Sequence, residues 1–94
     1  MNAERTSLFY MANLGAEVSR LCAAKGDAAE SALTRCFDII DKFLQIEVYP
    51  WREKEISILK EVIEDIAVNG NKFDVSEEDL EDYFLPFALR LQTM

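Results

Sequence analysis

The side chains able to do chemistry are carboxylates and thiols, because the chain has 18 Asp and Glu, two Cys and no His. Without histidine, the commonest general base and metal ligand near neutral pH is missing. Two carboxylate pairs have the three-residue spacing that puts both members on one helical face: Asp38 with Asp41, and Glu61 with Glu64, the latter followed by Asp65. Such pairs hold Mg²⁺ or bridge a di-metal centre when two of them converge inside a helical bundle. At about 100° per residue, Asp38 lies about 160° from the apolar position Cys36, and Glu61 about 160° from Leu59. Both pairs are therefore expected on solvent faces. Metal-dependent hydrolysis by the acids of helices 2 and 3 is kept as an alternative function.

The Glu61-x-x-Glu64-Asp65 group resembles half of the paired acidic motif of the all-helical nucleoside triphosphate pyrophosphohydrolases. The other half has no counterpart, since helix 1 offers Glu17-x-x-Arg20 where a second acidic pair is needed. The Asp-Ser-Leu motif that defines acyl carrier proteins is likewise absent, as Ser31 follows Glu30. Acids from Asp74 to Asp82 crowd the start of a helix, whereas a calcium-binding hand spaces its ligands through a twelve-residue loop with a central glycine. At a helix N-terminus they complement the dipole, and they also suit contact with a basic partner. Cys22 and Cys36 fall on or beside apolar stripes, where a thiolate is not activated. No catalytic residue, metal or cofactor is implied.

Four helices must position these groups. Leu8 to Ala24 contains only two charged residues, Glu17 and Arg20, so most of that helix's surface must be covered. Met11, Leu14, Val18 and Leu21 step by three and four as a bundle seam, and Ala12, Gly15, Ala16, Ser19 and Ala23 let other backbones approach. Helix 1 begins near Ala3 to Ser7, with Asn2, Thr6 and Ser7 as candidate caps, and ends at Lys25 before Gly26. Asp27 is the expected cap of helix 2, with Glu30 completing a box-like start. Its seam reads Ala29, Leu33, Cys36, Ile40, Phe43 or Leu44, and Glu47, widened by Ala32, Phe37, Ile39 and Ile46.

Pro50 ends helix 2 and opens helix 3, whose stripe is Ile56, Leu59, Val62, Ile63, Ile66 and Ala67, closed by Asn69-Gly70-Asn71. Ser76 and Asp79 form a capping box, and Val75 with Leu80 a hydrophobic staple, so a fourth helix starts at Glu77. Pro86 should kink or break it, leaving Phe87 to Leu91 as a short final turn or two. The fold expected is an all-α antiparallel helical bundle, a single domain over residues 1–94, of three long helices plus a shorter Pro-kinked C-terminal helix. Turns near residues 26 and 48 then bring Glu17 to Arg35, Phe9 opposite Leu44 and Trp51 near Ile46, making one pole aromatic.

The net charge of -8 accumulates along the chain: +1 over residues 1–25, -3 to residue 48, -2 to residue 70 and -4 to the end. Phosphate binding needs clustered Lys and Arg, so nucleic acid and anionic membranes are not expected partners. No export signal or bilayer-spanning run is evident, the two cysteines are offset too far along their helices to bridge, and a cytoplasmic location is expected. Pairing three helices leaves apolar surface on the small face of helix 1 and on the segment from Tyr83 to Leu91. The function expected is a non-enzymatic interaction module that self-associates, a dimer being favoured, or meets another helical protein. Its candidate interface is Ala12, Gly15, Ala16, Ser19, Tyr83, Phe84, Phe87 and Leu91. A second alternative is an apolar small molecule bound between helix 1 and the C-terminal segment.

Overall fold

The chain folds as an all-α bundle: α1 spans Ala3–Ala23, α2 Asp27–Ile46, α3 Pro50–Ala67 and α4 Glu77–Thr93, with no strand among the described residues. The structure is a computed structural model that describes residues 3–46, 50–68 and 72–93. The expected cap at Asn2, the turn around Glu47 to Tyr49, the side chain of Trp51 and the Asn69-Gly70-Asn71 terminator lie outside the described residues.

Helix α1 is the common neighbour. It packs most closely on α2 and α4 and touches α3 lightly, while α2 and α3 pair with each other. The expected seam of Met11, Leu14, Val18 and Leu21 is buried, joined by Leu8. Facing it are Ala32, Cys36, Ile40 and Phe43 of α2, Ile56, Leu59, Val62 and Ile63 of α3, and Leu80 and Phe84 of α4. On α2 the heptad step is displaced at its first turns. Ala32 is fully covered, whereas Ala29 and Leu33 are half-buried and line an open cleft of about 580 Å³ at the α1–α2 turn.

Gly26 carries the left-handed φ of +60° that separates α1 from α2, a conformation that costs glycine little. Its carbonyl also accepts from the Ala29 and Glu30 amides at 3.0 and 3.3 Å. Gly26 is thus the residue that starts α2, and Asp27, expected as the cap, lies inside the helix and acts through its charge in the first turn. Glu17 meets Arg35 Nε at 2.8 Å and Arg20 Nη1 at 2.6 Å, so the lone acid in the middle of α1 is satisfied from both helices. The Glu17 to Arg35 pair is the one a turn at residue 26 requires. Phe9 is half-exposed and packs edge-on against the neighbouring Tyr10, with ring centroids 6.0 Å apart.

The start of α4 follows the local code closely. The Ser76 hydroxyl accepts from the Asp79 amide at 3.1 Å, and the Asp79 carboxylate accepts from the Ser76 amide at 3.0 Å. These bonds hold the Asp79 carboxyl below the ordinary range. Pro86 does not break the helix, which runs unbroken to Thr93. The amide that proline lacks would have bonded the carbonyl of Asp82, an exposed residue, where water can take its place. Asp74 just upstream adopts a φ of 49°, a left-handed turn that a short polar side chain tolerates.

Candidate interaction surfaces

Two faces of α4 meet the bundle in different ways. Towards α1, the backbones come close at Gly15. A Cβ placed there would lie 2.8 Å from Cβ and 2.9 Å from Cγ of Phe84, closer than real carbon atoms approach. The residual space on this side, lined by Gly15, Val18, Ser19, Cys22, Leu80 and Phe84, is about 30 Å³. Gly15 and Phe84 therefore meet within the chain. Ala12 is half-buried beside them, whereas Ala16 and Ser19 are exposed.

The aromatic residues of α4 form a chain of edge contacts. Tyr83 meets Phe84 with centroids 5.0 Å apart and nearly perpendicular rings, and meets Phe87 at 5.6 Å. Tyr83, Phe87 and Leu91 are half-buried, and Phe84 is buried. The Tyr83 hydroxyl donates to Glu55 Oε1 of α3. Burial first, and then this carboxylate, push its pKa well above the ordinary phenol range.

Towards α3 the packing is loose. No Cα of α3 comes within 8 Å of one in α4, and the two helices are bridged by side chains. A groove of about 280 Å³ remains, lined by Glu55, Ile58, Leu59, Val62, Val75, Asp79, Leu80 and Tyr83. Ile58 sits in it half-exposed, at 50%. Sequence reasoning assigned Ile58 no role. The one signal available was a large β-branched residue standing off the α3 stripe.

Family models, curated proteins and solved structures give no match to this chain. Its chemistry must be read from its own residues.

The acids do not assemble. Asp38, Asp41, Glu61 and Glu64 are exposed, and Asp65 accepts from the Lys72 amide at 3.1 Å. Among the described residues no three His, Cys, Asp or Glu side chains are placed to hold a metal ion. Both thiols are free. Burial pushes Cys36 up to about 12, and Cys22 is raised by burial and by Glu77 and Glu81, so neither is a ready nucleophile at neutral pH. Among the described residues no helix is long and apolar enough to cross a membrane.

Proposed function

We propose that this chain is a non-enzymatic interaction module that pairs with a second copy through the outer face of the α1–α4 pair. The supporting observation concerns charge. The two longest uncharged stretches of the chain are residues 6–16 and 83–89, and the Gly15 to Phe84 contact packs one against the other. Together they leave Phe9 50%, Leu85 53% and Leu89 51% exposed, with Ala16 also on the surface. Leu85 and Leu89 are one turn apart and share a face of α4. Exposed Glu78 and Asp82 lie on the same stripe of α4 as Leu85 and Leu89, so in a chain of net charge -8 the apolar contact must outweigh the repulsion between these acids. Free helical thiols fit a reducing, cytoplasmic setting.

Light scattering after size exclusion tests this reading. A dimer is expected at high micromolar concentration, and Leu85→Glu with Leu89→Glu should give a monomer of unchanged helicity. A strict monomer in the unaltered chain overturns it.

A further inference from the structure

The groove between α3 and α4 is a separate surface, and we infer that it docks a basic amphipathic helix from another protein. Its floor is aliphatic and aromatic: Leu59, Val62, Val75, Leu80 and Tyr83 converge there, and Ile58 stands half-exposed at its lip. Helices pack with axes about 8–10 Å apart when side chains of one fill grooves on the other. A trough between two helices that are themselves held apart presents that relief to a third. Its 280 Å³ falls just below the range of about 300–1,000 Å³ typical of pockets that enclose a small molecule. It suits a few anchoring side chains from an apolar helical stripe.

The charge of the groove selects the occupant. Its two charged lining groups, Glu55 and Asp79, are both acidic. Asp79 belongs to a run from Asp74 to Asp82 with six acids and no base. Arg52, whose charge acts on Tyr83, and Lys54, exposed one turn before Ile58, offset part of this charge from the α3 side and leave the α4 side of the groove acidic. The Glu55 carboxylate accepts from the Tyr83 hydroxyl and the Asp79 carboxylate from the Ser76 amide, which fixes both acids in the wall of the groove, where an incoming ammonium or guanidinium group would meet them. A second copy of this chain does not supply such a helix, because its ten Lys and Arg are dispersed among acids and form no basic stripe. The occupant is a foreign helix with Leu-type residues at i, i+3, i+4 and i+7 and Lys or Arg on the flanks.

The test is fluorescence anisotropy with a labelled peptide of about 20 residues, Leu on one helical face and Lys elsewhere, titrated with the full chain. Two control peptides are used: one with Glu replacing Lys, and one with the same composition scrambled so that no apolar stripe forms. Micromolar binding of the first peptide alone is expected, weakened severalfold between roughly 50 and 300 mM salt. Ile58→Glu should reduce it by roughly tenfold or more while helicity and oligomeric state stay unchanged. Equal binding of the scrambled peptide overturns the inference, as does indifference to Ile58→Glu or the absence of binding by the basic amphipathic peptide. Light scattering on the same Ile58→Glu sample separates this result from the proposed self-association, which rests on Leu85 and Leu89.

Discussion

Helix α4 is packed tightly against one neighbour and held off another, and the contrast lies in side-chain size. Against α1 the partner of Phe84 is a glycine, so a large ring can lie directly on backbone and only about 30 Å³ of space remains. Against α3 the facing residues are Ile58, Leu59, Val62 and Tyr83, whose bulk keeps the two backbones apart and leaves an open trough. Both arrangements bury apolar surface. Only the first is close-packed enough for a single methyl group to matter, so stability should concentrate at the α1–α4 seam and tolerance to change at the α3–α4 groove.

The seam can be broken from the ring side. Phe84 is 6% exposed, and Phe84→Ala removes a buried aromatic ring whose loss typically costs about 3–5 kcal/mol. Chemical denaturation should show a large fall in midpoint. A cost below about 1 kcal/mol would mean that α4 is not anchored there.

Changing the glycine side is a sharper test, because two effects oppose each other. Alanine is favoured over glycine inside a helix by about 1 kcal/mol, so Gly15→Ala at an open site would stabilise. Here the new Cβ would lie 2.8 Å from Cβ of Phe84, and that atom is bound to backbone and cannot swing aside. Net destabilisation is expected, with overpacking costing about 1–3 kcal/mol before the helix preference is subtracted. Gly15→Leu should cost more. A raised melting temperature for Gly15→Ala would show that the two helices are not in close contact.

Much of the seam is legible in the residues themselves, and the groove is not. The spacing of Met11, Leu14, Val18 and Leu21, the small residues beside them, and the Ser76 and Asp79 box are local patterns, and each fixes a local structure. The Glu17 to Arg35 pair follows from one further quantity, the position of the turn. That Phe84 is the residue seated on Gly15 depends on how α4 lies across α1, which no periodicity encodes. Periodicity also places Ile58 off the buried stripe without saying whether the neighbouring helix comes close enough to cover it. Whether Pro86 ends the helix is likewise set outside the local pattern, by whether water reaches the carbonyl it leaves unbonded.

Between seam and groove stands the Tyr83 hydroxyl, which ties α4 to Glu55 across the gap. Tyr83→Phe removes one hydrogen bond from a half-buried carboxylate and should cost about 1 kcal/mol. The pH dependence has a definite sign. The folded pKa of Tyr83 lies above its ordinary value of 10.0, so its contribution is complete below about pH 10 and is lost as pH rises through the folded value. Cys36, raised from 9.0 to about 12, adds a loss of the same sign. Alkaline titration of stability should therefore be shallower in Tyr83→Phe than in the unaltered chain. Identical profiles would remove the hydroxyl from the account.

The smallest effect is expected at the lip of the groove. Ile58 is half-exposed in a trough that α4 does not close, so Ile58→Gln loses little buried area and keeps the helix. Glutamine also has a slightly better helix propensity than isoleucine, which offsets part of the lost contact. The net change in stability should stay within about 0.5 kcal/mol, near the limit of what thermal unfolding resolves. That near-silence separates the two faces of α4. A cost comparable to that of Gly15→Ala would mean that the groove is a closed part of the core, and the surface offered to a basic helix would not exist.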